Sequence, residues 1–372
     1  MAYIPQGDSC GAYPGPYVPP LFFRLEHKTS IYLPRNSREH THTVILLHDR
    51  GYTLEEYGLK LFEAKASGGC NLPQVFPNVK WILPTFAVRR SQKESNIDMT
   101  KWFDMWRVED SRDREQMQRT GLRESVAFIR QLVEVVELVP SVPAENIVLG
   151  GVGQGGATAM HTLFAMGLRL GGFIGLSSWM PLIEELHAVV ARIMNKEKTA
   201  TSLMLEAIWA LAPPSSEAWD EKTKITAHVE SAGRTPFFLA YSNNDKNARV
   251  GHRQRLRQCL SSITKESSVT MYQSGEQWVV KTCEVDGVVD FIKKVIASSP
   301  KKKEVAKPQN WPKKELSSSA VEGRSWSEAG EELAKLAGVI KQRRRRIKLE
   351  RIRGETLVNS PASSREASET QS

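Results

Sequence analysis

No stretch of this chain is apolar enough to cross a membrane. The longest apolar runs, such as Thr43–His48 and Asn146–Gly151, are strand-length, far short of the ~20 residues that a span requires. Cysteine is scarce, with only Cys10, Cys70, Cys259 and Cys283 in 372 residues. No two of them stand at metal-ligand spacing, so reduced, isolated thiols are expected. A secretory leader is not expected either. Met1–Pro20 is rich in Pro, Gly and Tyr and has no basic start followed by an apolar run, so residues 1–22 read as a flexible arm. The body carries little net charge. Residues 300–372 hold 17 Lys and Arg against 10 Asp and Glu, leaving +2 of the net +9 for residues 1–299. The pI of 9.3 therefore belongs to the tail and does not describe a nucleic-acid-binding core.

What is present is alternation. Candidate strands are Thr43–His48, Val79–Pro84, Asn146–Gly151, Gly172–Ser177, Pro236–Tyr241 and Val269–Gln273. Several are almost unbroken Val, Ile, Leu and Phe, as strands covered on both faces should be. Helical patterns lie between them. Thr120–Leu138 repeats apolar residues at Leu122, Val126, Ile129, Val133 and Val136, which is helical spacing. Gly155–Gly167, Val250–Ser262 and Glu284–Ile296 are further candidates. This order predicts an α/β domain over residues 23–298, with a mostly parallel central sheet and helices on both faces. Residues 183–233 are longer than one crossover needs and form a candidate cap insertion. Residues 299–372 read as a low-complexity basic tail with a helix predicted over 326–353. Ser325 and Glu328 are spaced as its capping box, and Lys341–Arg353 holds eight Lys and Arg.

The turn after Asn146–Gly151 carries the informative motif, Gly151-Val152-Gly153-Gln154-Gly155-Gly156. It satisfies G-x-G-x-x-G, but its strand is not the first of the sheet. The following strand ends in Ser177, with no acid to bind a ribose. The alternative is a nucleophile elbow, G-x-S-x-G, with glycine in place of serine. Other segments favour that reading. Ile147–Gly156 resembles the elbow of the acyl-protein thioesterase/carboxylesterase family of α/β-hydrolases, and of its fungal-type members in particular. His48-Asp49-Arg50-Gly51 resembles that family's oxyanion loop, usually His-Gly-x-Gly. Lys101-Trp102-Phe103-Asp104 resembles its Trp-Phe-Asp signature. Leu176–Leu182 resembles its Leu-Ser-x-Trp-Leu-Pro segment. Pro236–Asp245 and Met271–Trp278 resemble the strands leading to its acid and its histidine.

Hydrolysis on this fold needs a serine to attack, a histidine to carry its proton, an acid to orient the imidazole, and backbone N–H groups for the oxyanion. The resemblance puts Gly153 at the nucleophile position, Asp245 at the acid position and Gln277 at the base position. Glycine has no nucleophile, and an amide does not titrate near neutral pH. Tyr241 stands where the family usually has histidine. The histidines are at 27, 40, 42, 48, 161, 187, 228 and 252, so none follows the last strand. His252 with Ser177 or Ser178 would be a replacement pair that the spacing does not support, and His48 reads as a loop stabiliser. The backbone N–H groups of Arg50 and Gln154 are the candidate oxyanion donors. In a serine protease, losing the nucleophile or base costs ~10⁶ in kcat, so the chain is expected to be inactive by the family mechanism.

Three readings follow. One is a pseudo-hydrolase that binds an acylated protein, lipid or ester in a residual cleft. Another is an active ester hydrolase with a non-standard nucleophile. The third gives the function to the tail, through acidic partners or import machinery. No cofactor or metal is implied. The expected location is cytoplasmic, or nuclear through Lys341–Arg353. Replacing Gly153 by serine and Gln277 by histidine together is expected to restore activity if the rest of the site is intact.

Overall fold

A computed structural model describes residues 29–34, 40–86, 88–90, 98–107, 113–137, 142–184, 231–242, 250–264, 267–272 and 282–299. All belong to the first of two compact units, Met1–Lys302 and Lys303–Ser372. The expected arm, the tail and most of the candidate cap lie outside the described residues.

Among the described residues, seven strands form one sheet in the order β1-β3-β2-β6-β7-β8-β9. They are β1 (Thr29–Tyr32), β2 (His42–Leu47), β3 (Val79–Pro84), β6 (Ile147–Val152), β7 (Gly172–Leu176), β8 (Phe237–Ser242) and β9 (Ser267–Tyr272). Only β1 runs antiparallel, against β3; the other pairs are parallel. The short β4 (Val88–Arg90) and β5 (Asp98–Thr100) form a separate antiparallel pair. The helices are α1 (Leu54–Glu63), α2 (Leu72–Val75), α3 (Gln118–Glu137), α4 (Gly153–Met166), α5 (Val250–Ile263) and α6 (Thr282–Ser298).

The unbroken apolar strands have two buried faces. In β2, Ile45 and Leu47 face a core shared with α3, α4 and α5. Val44 and Leu46 face the opposite core, shared with α1, α2 and α6. Successive side chains point to opposite faces, so helices on both sides require apolar residues at every position. The spacing in α3 holds: Leu122, Val126, Ile129, Val133 and Val136 are all buried. In α4 both helix flanks are covered, and even Thr158, His161 and Thr162 are buried.

Helix α1 and strand β1 were not among the expected elements. A signal for α1 was available. Thr53 and Glu56 form a reciprocal capping box, and Leu54, Tyr57, Gly58 and Leu61 are buried at i, i+3, i+4, i+7 spacing. The thiol expectation needs a correction too. Cys259 is free and buried, but Cys70 is disulfide-bonded; its partner lies outside the described side chains. Distance along the chain does not set distance in space, so scattered cysteines do not argue for a reducing compartment.

Candidate functional site

Strand β6 enters α4 through a sharp turn at the centre of the sheet. Gly153, the first residue of α4, has φ +51, a left-handed conformation that costs a side-chain-bearing residue about 1–2 kcal/mol. Gly155 allows the helix to approach the neighbouring loop: a Cβ there would overlap the backbone carbonyls of His48 and Leu47. The glycine-rich motif thus serves a close strand–helix turn packed against the end of β2.

The loop following β2 is pinned from several sides. The Trp102 indole N–H donates to the His48 carbonyl at 2.8 Å. The Gly51 N–H donates to Thr100 O at 2.8 Å. His48 Nδ1–H donates to Asp49 O at 2.7 Å, and its Nε2 lies 2.8 Å from the Thr85 hydroxyl. A carbonyl only accepts, so Nδ1 carries the proton and Nε2 accepts. Burial lowers the His48 pKa to about 4, with the bond to Asp49 O opposing the shift. His48 is therefore a neutral brace for its loop.

Gln154 braces the other side. Its Oε1 accepts from the Trp102 N–H at 2.8 Å, and its Nε2 donates to Phe103 O at 2.8 Å. The Trp-Phe-Asp segment is in this way tied to the turn, and Lys101 and Asp104 pair at 2.7 Å across it.

Between these two braced segments lies the Asp49 side chain. Its Oδ1 accepts from the Arg50 N–H at 2.8 Å and from the Gln154 N–H at 2.8 Å. The two candidate oxyanion donors therefore converge on one point, and a carboxylate oxygen of the chain itself occupies it. A Cβ built on Gly153 would lie no more than 2.5 Å from Asp49 Oδ1, Cγ and Oδ2. Asp49 is 6% exposed. The buried Tyr57 hydroxyl has its pKa raised, first by burial and then by the Asp49 charge.

Of the other candidates, Ser178 Oγ is bonded to the carbonyls of Leu176 and Gly151. Ser177 has φ +50 and is 3% exposed; its Oγ has no hydrogen-bond partner among the described residues. His252 lies in α5 and is mostly buried. Asp245 and Gln277 lie outside the described residues. The Asp49 side chain was not singled out from sequence. Its signal was an aspartate where the resembled loop, His-Gly-x-Gly, has glycine.

The sheet order and the central strand–turn–helix define the α/β-hydrolase fold. The fold is that of acyl-protein thioesterase 2 from Zea mays, with a TM-score of 0.50, 20% identity, and 72% of this chain and 98% of that one covered. Residues 31–203 match the family described as Phospholipase/Carboxylesterase. Acyl-protein thioesterase 1 of Cryptococcus neoformans var. neoformans serotype D is 31% identical over 146 residues. That match covers 38% of this chain, and the chain spans only 56% of the relative's length. Acyl-protein thioesterase 1 of Neurospora crassa is 29% identical over 176 residues, covering 46% of this chain and 69% of that one. No helix among the described residues is long and apolar enough to cross a membrane.

Proposed function

We propose that this chain is a catalytically impaired member of the phospholipase/carboxylesterase family that acts by binding. The observation that carries this reading is Gly153. It stands at the strand–helix turn, where the elbow mechanism needs a nucleophile, and it has no side chain to attack with. The base position, Gln277, adds a second loss, because an amide cannot cycle a proton near neutral pH. Asp245, the acid position, is then left without a histidine to orient. The relatives are named for acyl-protein substrates, so the ligand class proposed for a residual cleft is an acylated protein, or a lipid or ester with a similar acyl chain.

A fluorophosphonate probe tests this directly, because it phosphonylates activated serines. The purified full-length chain should remain unlabelled, and a fluorescent palmitoyl peptide should bind it without being cleaved. Labelling that maps to Ser177, the buried serine with left-handed φ, would instead support an active hydrolase with a non-standard nucleophile. The tail carries a separate proposal, nuclear import through Lys341–Arg353. A fluorescent fusion lacking residues 300–372 tests it: import requires that the truncated form leave the nucleus, and unchanged distribution ends that role.

A further inference from the structure

We propose that Asp49 is a built-in ligand of the oxyanion site: its carboxylate takes the place of the anionic oxygen, and it is a third lesion coupled to the loss of the side chain at 153. The proposal rests on the reading of Arg50 and Gln154 as the family's oxyanion donors.

A tetrahedral intermediate presents one negatively charged oxygen to two backbone N–H groups. Asp49 Oδ1 makes the same demand and meets it at 2.8 Å from each donor. Charged acceptors hold such donors about twice as strongly as neutral ones. A substrate carbonyl, which is neutral until attacked, has to displace that carboxylate to reach the hole. The space is contested as well, since any side chain at 153 would start within 2.5 Å of three carboxylate atoms. A serine alkoxide forming there would also face a like charge at close range. Asp49 and a serine at 153 therefore exclude one another, whereas Asp49 and Gly153 fit.

The hole itself does not depend on the carboxylate. The loop carrying Arg50 is held by Trp102 Nε1 on His48 O, by His48 Nδ1 on Asp49 O, and by Gly51 N on Thr100 O. The N-terminus of α4 is held by the Gln154 side chain on the backbone of Trp102 and Phe103. Removing the Asp49 side chain should leave two aimed donors with no acceptor. On this proposal the rest of the site is not intact, so Gly153→Ser with Gln277→His does not restore it. Asp49→Gly is required too. It also narrows the ligands of the native protein. They bind without placing an anionic oxygen in the hole, so transition-state mimics of ester hydrolysis gain nothing there.

Thermal unfolding of the full-length protein in sodium formate, against sodium chloride at equal ionic strength, tests the hole. Asp49→Gly should melt below the wild type and gain several degrees in formate. The wild type and Asp49→Asn, whose amide oxygen still fills the site, should show no formate effect beyond that of chloride. If Asp49→Gly does not fold in plain buffer, its recovery in formate supports the proposal and failure to recover overturns it. An Asp49→Gly protein that melts like the wild type, or ignores formate, overturns it as well. Fluorophosphonate labelling supplies the second readout. The Gly153→Ser/Gln277→His protein should stay unlabelled, and addition of Asp49→Gly should confer labelling. Labelling of the double variant refutes the proposal. A formate response in Asp49→Gly together with an unlabelled triple variant supports the filled hole, and places the fault in the assignment of Gln277 as the base position.

Discussion

Substituting Gly153 by alanine should cost far more stability with Asp49 present than without it. The cost has two parts. The first is the left-handed φ of +51, about 1 kcal/mol for a residue with a Cβ. The second is the overlap of that Cβ with the Asp49 carboxylate. A close-packed site does not absorb atoms at 2.5 Å, so the carboxylate must leave and its hydrogen bonds to Arg50 and Gln154 break. A hydrogen bond to a charged group contributes about 1.5–3 kcal/mol. Losing at least one of the two puts the total for Gly153→Ala near 3–4 kcal/mol in the wild-type background. With Asp49→Gly in place only the φ cost survives, about 1 kcal/mol. The coupling between the two sites is therefore about 2–3 kcal/mol, at the upper end of what contacting residues show. In a domain of this size it is worth about 4–8 °C in Tm. Chemical denaturation of the wild type, the two single variants and the double variant measures it. If Gly153→Ala costs the same in both backgrounds to within ~0.5 kcal/mol, the range expected for independent sites, the packing argument is refuted.

Acid should destabilise the protein through its buried histidines. His48 and His161 each have the folded-state pKa lowered from 6.5 to about 4, chiefly by burial. Between those values the unfolded chain binds more protons than the folded one. Stability is thus complete above pH 6.5 and falls as the pH drops toward 4, by at most about 3 kcal/mol per ring. His161→Gln should flatten part of that fall, and an equal slope in the variant would contradict it. Gln154→Ala should cost about 2–3 kcal/mol in chemical denaturation, because it strands the Trp102 N–H and the Phe103 carbonyl in the core. A loss below ~0.5 kcal/mol, the scale of a neutral surface change, would count against its bracing role. Gly150→Ala should be among the most damaging alanine substitutions, since its Cβ would overlap the Ile174 carbonyl of the adjacent strand. Gly68→Ala, with nothing within 4 Å, should be nearly neutral by the same melting assay.

Much of the scaffold was legible because local pattern and tertiary demand agree. The near-continuous apolar runs at Thr43–His48 and Asn146–Gly151 are what doubly covered strands require, and both faces of β2 are indeed buried. The period in α3 was legible for the same reason. Helix α1 was missed although Thr53 and Glu56 announced its start. Its mean polarity, with Glu55, Glu56, Lys60 and Glu63 all exposed, masked a narrow apolar stripe. Strand β1 was missed because an edge strand of four residues carries too little pattern to stand out. At the site, the turn and its glycines were readable, since a left-handed φ and a close helix approach demand that residue type locally. The disulfide at Cys70 was not readable, because bonding depends on where two distant sulfurs meet.

By itself the sequence determined the class of fold, the glycine at 153 and the absence of a histidine after the last strand. These are properties of residue type and order, and no packing can supply a hydroxyl or an imidazole where none is encoded. Only the tertiary structure decided what Asp49 does. Its partner amide on Gln154 is 105 residues away, and the two meet because β2 and β6 are adjacent and parallel. That adjacency brings the end of one strand beside the turn of the next, so that an aspartate unremarkable in its own segment fills the space between two backbone donors.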